Sequence, residues 1–395
     1  MTRRIRFWLF FTAMAIFCLG ANFAHPVTPA LIKNLGLHDY MFGAAFAAMM
    51  ATNFLFSPFW GKLNDTVEAR YIMFICCIGY GISQLGFAVA VTETAILAAR
   101  LCAGVFTGGI FVSFLTYIVG ESDESVRSQY LMINATIQSV FGAFGYLIGG
   151  VLGEVSIFLV FMLQAVVLIA SGFLFLLVCK EEHQRQHNQV TLKQLVIQSN
   201  PFRAFLASRS FMTVSFAGFF GICIFMFIGQ TGFDQSFNYF LKAELQLGSS
   251  YNGLVKAVVG LIAFFSNVTL CLAIIRRKQS QKATIVLNGI CGLLCGTLVF
   301  LNHTAGFLIG GVLLYSANSV SIPLIQDSIA QKAEKEKQNL IMGFYNGSKS
   351  LGSIAGAMIA GIAFEWNARA PFVFAAGFFG LAFLLALKFM SGKKQ

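Results

Sequence analysis

The chain alternates between long apolar stretches and short polar segments. Each apolar stretch runs roughly 18–25 residues, which as a helix is enough to cross a hydrocarbon core about 30 Å thick. A helix also satisfies its own backbone polar groups in lipid, where water is absent. The pattern predicts an all-α membrane protein with twelve transmembrane helices, at about 8–30, 41–60, 71–91, 94–119, 129–152, 155–179, 210–238, 251–275, 283–301, 305–329, 339–363 and 370–390.

The distribution of positive charge predicts the orientation of these spans. Hydrophobic residues make up 57% of the chain and charged residues 11%, and the net charge is +11. Most Lys and Arg residues fall on one side, and the opposite loops hold only Lys33, Lys242 and Arg369. Because positive loops resist translocation, both termini are expected in the cytoplasm. The excess charge therefore indicates topology and contact with membrane lipid, not a nucleic-acid partner. Short loops and tails are typical of a bacterial plasma (inner) membrane protein.

The spans divide into two halves that resemble each other. We expect residues 1–179 to form one six-helix half, 180–209 a cytoplasmic linker, and 210–395 the other half. LGLHDYMFG at Leu35 precedes LQLGSSYNG at Leu245 by 210 residues, and GYLIGGVLGE precedes GAMIAGIAFE by 211. Six spans separate each pair, so the halves are predicted to be parallel and pseudo-symmetric. Chance alignment of glycine-rich segments is the alternative. Small residues allow close helix crossings, and the candidates are Gly145, Gly149, Gly150, Gly356 and Gly361.

Several motifs resemble the major facilitator superfamily, especially its twelve-span bacterial drug:proton antiporters of the quinolone and multidrug efflux type. They are GKLNDTVEAR after span 2, LGANFAHPVTP in span 1, LAARLCAGVFTGG in span 4 and GAFGYLIGG in span 5. The resemblance implies the major facilitator fold, a substrate site between the halves and a cytoplasmic gate at Gly61, Asp65 and Arg70. Gly61 is expected to allow a close helix approach, whereas Thr66, Glu68 and Ala69 depart from the family motif. An ordinary polar loop is the alternative for that gate. Tyr146 stands where the antiporter motif has proline.

Ionisable residues inside the spans are the candidates for proton coupling. Asp234 is the acidic residue deepest within a span, and a carboxylate held away from water is suited to exchanging a proton or attracting a cation. Arg100 matches the antiporter arginine of span 4, which the resemblance ties to proton coupling. His25 lies in span 1, where Pro26 and Pro29 are expected to bend the helix, and histidine changes its charge near neutral pH. Structural ion pairs or hydrogen bonds are the alternatives for all three.

The substrate cavity is expected to combine polar groups with adaptable apolar walls. Two additional cations, Lys256 and Lys349, lie within predicted spans, and Lys349 is expected either to bind an anionic group or to neutralise Asp327. Ser319 occupies the position in span 10 where related pumps have a second acid. Cations without acidic partners would favour an anionic substrate. The predicted cavity residues are Asn22, His25, Phe233, Asp234, Phe237, Ser319 and Lys349.

The sequence favours a secondary transporter. It contains no phosphate-binding G-K-[ST] loop, nucleophile elbow or H-E-x-x-H motif, so an enzyme is not expected. No cofactor or metal site is expected either. The predicted activity is proton-coupled efflux of amphipathic or cationic drugs, with antibiotic resistance as its consequence, by a monomer that exchanges a small-molecule substrate for protons. A specific exporter or importer of a metabolite, sugar or lipid, and a non-transporting sensor or assembly partner, are the alternatives.

Overall fold

The described part of the chain is built from helices. The computed structural model describes residues 3–180, 199–202, 206–332 and 338–390, and these contain no β-strand. A short 3₁₀ turn, Ala207–Ser210, precedes the eighth helix. The helices are α1 (Arg3–Ala21), α2 (Thr28–Asn34), α3 (Met41–Leu63), α4 (Ala69–Val89), α5 (Glu93–Glu121), α6 (Glu124–Gly153), α7 (Ile157–Val178), α8 (Val214–Ala243), α9 (Ser249–Arg276), α10 (Ser280–Leu298), α11 (Thr304–Lys332), α12 (Gln338–Trp366) and α13 (Ala370–Met390).

The predicted membrane spans coincide with these helices. Within the described residues, eleven helices are long and apolar enough to cross a membrane, and α12, with 29 residues, is a further long helix. The all-α, twelve-span fold predicted from the apolar pattern is confirmed. The predicted linker at 180–209 lies largely in 181–198 and 203–205, outside the described residues. The domain boundaries therefore stay a prediction.

The helices form two compact units. The first contains Met1–Leu35, Ala48–Pro201 and Gly248–Ala257. The second contains Gly36–Ala47, Phe202–Leu247 and Val258–Gln395. Each unit therefore includes one short segment from the other half of the sequence: the start of α9 belongs to the first unit, and the start of α3 to the second.

The two units repeat one packing scheme. In the first unit α1 packs against α6 and α7, while α4 packs against α5 and α7. In the second unit α8 packs against α12 and α13, while α10 packs against α11 and α13. Each of these pairs has its counterpart six spans later. The internal repeat predicted from the two sequence offsets therefore corresponds to a repeat of helix packing.

The first span is interrupted where the sequence predicted a continuous bent helix. Helix α1 ends at Ala21, and a turn leads to α2, which begins at Thr28. Pro26 and Pro29 have no backbone N–H, so the helical hydrogen bonds cannot continue through this region. The Ala21 carbonyl instead accepts a hydrogen bond from Gln164 Nε2 of α7, at 2.9 Å. A side chain from a neighbouring helix thus satisfies the backbone group that the break leaves open.

Replacing Gln164 with Leu is expected to destabilise the first unit. Gln164 is fully buried, so the substitution leaves the Ala21 carbonyl with only the Tyr80 hydroxyl as a donor, at 3.5 Å, in a site that water does not reach. Loss of the shorter hydrogen bond costs about 0.5–1.5 kcal/mol of unfolding free energy. Thermal unfolding in detergent measures the effect. Ser171→Ala is the control, because buried Ser171 donates only to Val167 of its own helix; an equal loss in both variants would contradict this role for Gln164.

Candidate functional site

The predicted proton-coupling carboxylate lies in the second unit, on α8. One oxygen of Asp234 accepts a hydrogen bond from the Tyr315 hydroxyl of α11 at 2.7 Å. The other accepts from Gln235 Nε2 at 3.3 Å. Asp234 is only partly buried, whereas Tyr315 is 8% exposed. The carboxylate is therefore held by a buried phenol on one side while part of its surface remains accessible. A carboxylate in these surroundings can exchange a proton or bind a ligand.

Aromatic rings surround this carboxylate. Phe233 and Phe237 are both fully buried. Their ring centroids lie 4.8 Å and 5.6 Å from that of Tyr315, and Phe237 stacks on Phe307 at 5.2 Å. The two phenylalanines thus pack into the core of the second unit and fix Tyr315, and their predicted place in the wall of a cavity stays a prediction. Ser319, one helical turn beyond Tyr315, donates to the Ser316 carbonyl of its own helix at 2.8 Å.

The other predicted polar residues of this unit are separate from one another. Lys349 is exposed on α12, and its ammonium lies 5.4 Å from the centre of the Phe227 ring. Asp327 instead accepts hydrogen bonds from Ser280 and Gln331. Among the described residues Lys349 and Asp327 form no ion pair, so the expectation that Lys349 neutralises Asp327 is wrong. Uncharged hydroxyl and amide groups donate hydrogen bonds to the Asp327 carboxylate instead.

In the first unit, Arg100 is buried within the helices. It is 4% exposed, donates to Thr28 Oγ1 at 3.3 Å and to Met49 Sδ at 3.6 Å, and lies 4.0 Å above the Phe87 ring. In the parts of the chain that are described, no carboxylate forms an ion pair with Arg100. Its Nε has no hydrogen-bond partner there.

His25 and Lys256 meet at Tyr146, beside the break in the first span. The His25 ring stacks on the Tyr146 ring, with centroids 5.4 Å apart and planes 8° from parallel. Lys256 of α9 places its ammonium 5.5 Å from the centre of the same ring. Asn22, in the turn after α1, donates to the Cys18 carbonyl at 2.8 Å. Tyr146, which replaces the proline of the antiporter motif, is therefore the residue at which these basic groups converge.

The predicted gate residues form local contacts. Asp65 pairs with Lys62 at 2.9 Å and Arg70 with Glu68 at 2.8 Å, so both charges are neutralised within the loop itself. A Cβ at Gly61 would lie 3.7 Å from Val112, which is an ordinary contact. The close helix approach expected at Gly61 is therefore absent. Glu68 is one of the departures from the family motif, and it supplies the partner of Arg70.

The five predicted packing glycines lie where helices cross closely. A Cβ at Gly149 would lie 2.7 Å from Phe23 Cα. In the second unit, a Cβ at Gly356, which is the counterpart of Gly145, would lie 3.0 Å from Ile228 Cα. A Cβ at any of the remaining three, Gly145, Gly150 and Gly361, would also come close to a backbone carbonyl of a neighbouring segment. For Gly361 this is the carbonyl of Tyr40, directly before α3. Only a residue without a side chain allows such crossings.

Two glutamates cap helix N-termini at equivalent places in the repeat. Glu154 accepts the backbone N–H of Ser250 at 2.8 Å, next to the start of α9. Glu365 accepts the N–H of Tyr40 at 2.9 Å, next to the start of α3. The first N–H groups of a helix have no partner within it, and a carboxylate there also interacts favourably with the helix dipole. Glu154 therefore stabilises the start of α9 within the first unit, and Glu365 stabilises the start of α3 within the second.

Sequence reasoning missed Tyr315 and the role of Tyr146. Tyr315 directly precedes the SANSVSIPLIQD segment, in which related pumps have a second acid, and it lies one turn before Ser319. In the sequence, Tyr146 stands out only as a departure from a motif. Among the described residues, no three His, Cys, Asp or Glu side chains are grouped so that they could hold a metal ion.

The family model of the Major Facilitator Superfamily matches residues 10–318 and 282–394. The chain belongs to the major facilitator superfamily. The chain is similar to Multidrug resistance protein 1 of Bacillus subtilis strain 168 (23% identity; 94% of this chain, 93% of that protein). It is also similar to the class C Tetracycline resistance protein of Escherichia coli (24%; 91% and 90%). A third relative is Quinolone resistance protein NorA of Staphylococcus aureus strain COL (24%; 94% and 92%).

Solved structures support the same fold. A bacterial homologue of the human lysosomal transporter Spinster superposes with a TM-score of 0.73 at 15% identity, over 99% of each chain. The nucleoside transporter NupG superposes with a TM-score of 0.72 at 14% identity, also over 99% of each chain. Membership of this superfamily makes the chain a multi-pass membrane transporter of a small molecule and not an enzyme, in agreement with the prediction from the sequence.

Proposed function

We propose that this transporter exports amphipathic, predominantly cationic compounds across a bacterial plasma membrane in exchange for protons. The observation that supports it most is the placement of Asp234, a partly accessible carboxylate held by Tyr315 among aromatic rings. An anionic group in such surroundings attracts a lipophilic cation, and aromatic surfaces accept apolar bodies of varied shape. The drug-resistance relatives give further support.

Coupling between substrate and proton follows if both bind to the same group, Asp234. A proton and a cationic substrate both neutralise Asp234, so they compete for it. Protonation removes the attraction for the substrate, which is then released, and the neutral carrier returns by alternating access. Tyr315 donates its hydroxyl to one oxygen of the Asp234 carboxylate, so it holds this group in position for either ligand.

Accumulation of a fluorescent cation in cells tests the export function. We expect cells that lack their own drug exporters to accumulate several-fold less ethidium when they express this protein. Collapse of the proton gradient should restore accumulation to the level of cells that carry an empty vector. Equal accumulation with and without the protein, at confirmed membrane expression, would contradict drug export. That outcome would favour the alternative of a specific-solute exporter or importer of the same fold.

A further inference from the structure

Lys349 places an exposed positive charge deep within a long helix of the second unit. Helix α12 begins at Gln338 and ends at Trp366, so the nearer end of the helix is about 16 Å from Lys349 at 1.5 Å per residue. The side chain is nevertheless exposed. An exposed group at this depth faces either hydrocarbon or the aqueous path of a transporter, and hydrocarbon is costly for a charge. The position therefore suits a group that meets the substrate.

No other residue in the described ranges neutralises the charge of Lys349. Its ammonium forms no hydrogen bond or ion pair with any of them. It lies 5.4 Å from the centre of the Phe227 ring of α8, and an aromatic ring stabilises a cation without cancelling its charge. Asp327 accepts hydrogen bonds from uncharged groups instead. An ionisable residue at membrane depth marks a functional site by default, and here the missing partner is an anion.

Lys349 and Asp234 lie along the same pair of packed helices, α12 and α8. Phe227, which contacts Lys349, is seven residues before Asp234 on α8. Seven residues are almost two helical turns, so Phe227 and Asp234 share a face and their Cα atoms are about 10 Å apart. Between them, Thr231 forms a hydrogen bond at 3.1 Å with Ser353 of α12, which lies one turn beyond Lys349. A negative and a positive group are therefore separated by a ring and two hydroxyls.

We propose that Lys349 binds the carboxylate of zwitterionic substrates whose cationic group binds at Asp234. A lysine ammonium has three N–H donors, and its hydrogen bonds to a carboxylate are strengthened by charge. The spacing of the two groups fits an amphipathic molecule that carries its opposite charges at separate ends of an aromatic body. This inference rests on the proposed export function and defines its substrate class, because it adds zwitterions to simple cations.

The test compares tetramethylrhodamine with its methyl ester, using the full-length protein in lipid nanodiscs. Both dyes carry the same delocalised cation, but only tetramethylrhodamine has a free carboxylate. We expect Lys349→Gln to weaken binding of tetramethylrhodamine about tenfold, which is the effect of losing one hydrogen bond between charged groups. Binding of the methyl ester should change less than about twofold. Lys349→Arg should retain the affinity for tetramethylrhodamine, because it keeps the charge. Fluorescence anisotropy measures each affinity.

Lys388→Gln is the matched control for loss of a lysine charge. Lys388 is also exposed and belongs to the second unit, and its ammonium also lies 5.4 Å from the centre of a phenylalanine ring, that of Phe389. It is near the end of α13, away from membrane depth. This variant should therefore bind both dyes as the unmodified protein does. Asp234→Asn should weaken both dyes, because both carry the cation.

The outcomes separate this site from the export function. Unchanged affinity for tetramethylrhodamine in Lys349→Gln, or equal weakening of both dyes, would overturn the proposal. If Lys349→Gln does not fold, Ser353→Asp decides, because it places a carboxylate four residues from Lys349, within reach of its ammonium. That variant should weaken tetramethylrhodamine selectively, and equal effects on both dyes would reject the site. Selective loss of tetramethylrhodamine without export of ethidium would retain the site and reject cation export, whereas ethidium export without selective loss would do the reverse.

Discussion

Substituting Asp234 with Asn is expected to abolish substrate-driven proton movement. Asparagine is close to aspartate in size and can still accept a hydrogen bond from Tyr315, so the packing among Phe233 and Phe237 should persist. It cannot ionise, and it therefore neither exchanges a proton nor attracts a cation. In proteoliposomes that contain a pH-sensitive dye, the proton flux that lipophilic cations elicit should fall about 100-fold or more, since a positioned proton-transfer group contributes about 10²–10⁴-fold to a rate.

Asp327→Asn is the matched control for this substitution. Asp327 is another aspartate of the second unit, and its contacts are Ser280 and Gln331 near the end of α11. We expect this variant to keep most of the flux. Comparable losses in both variants would show that coupling does not depend on Asp234 specifically. Tyr315→Phe should give an intermediate flux, since it removes the hydroxyl donor and leaves the carboxylate in place.

Introducing leucine at Gly149 or Gly356 is expected to prevent stable packing of the unit that contains it. A Cβ at Gly149 would meet the backbone of Phe23, in the turn after α1, and a Cβ at Gly356 would meet that of Ile228 in α8. Both contacts are closer than a normal van der Waals contact allows. Backbone atoms cannot move aside as a flexible side chain can, so the helices must separate. Overpacking of this kind typically costs about 1–3 kcal/mol and occasionally more. We expect both variants to show a lower thermal midpoint and a smaller monodisperse fraction in detergent.

Gly377→Leu separates this effect from a general intolerance of glycine replacement. Gly377 lies on α13, and no atom of a neighbouring residue lies within 4 Å of the position that a Cβ would take there. Leucine at this position should therefore leave the thermal midpoint nearly unchanged. If Gly149→Leu and Gly356→Leu were as stable as Gly377→Leu, the close contact of α6 with the turn after α1 and the crossing of α8 with α12 would not contribute to stability.

The helices and their repeat could be predicted because both depend on patterns that extend along the chain. Apolar length defines a span in lipid regardless of its neighbours. The matched glycines and glutamates, such as Gly145 with Gly356 and Glu154 with Glu365, revealed the duplication because equivalent crossings need small residues at equivalent positions. The break after Ala21 was predicted only as a bend, since the proline content does not show that Gln164 of another helix would satisfy the open carbonyl.

The details of the candidate sites depend on contacts between residues distant in sequence. Tyr315 is 81 residues from Asp234, and no local pattern connects them. Lys349 and Asp327 have opposite charges, and their pairing was one of two alternatives for Lys349, yet Asp327 accepts hydrogen bonds from Ser280 and Gln331 instead. Charge alone does not identify partners when nearby hydroxyl and amide donors compete. Tyr146 appeared as the loss of a family proline, and only the fold shows that His25 and Lys256 lie against its ring.

Proton movement in proteoliposomes of the unmodified protein tests the central claim most directly. An imposed pH gradient should drive accumulation of a lipophilic cation such as tetraphenylphosphonium, and addition of that cation without a gradient should itself move protons in the opposite direction. Both effects follow if one carboxylate binds either ligand but not both. Cation transport that proceeds with no proton movement, in liposomes shown to hold a pH gradient, would contradict proton-coupled export and indicate an uncoupled facilitator.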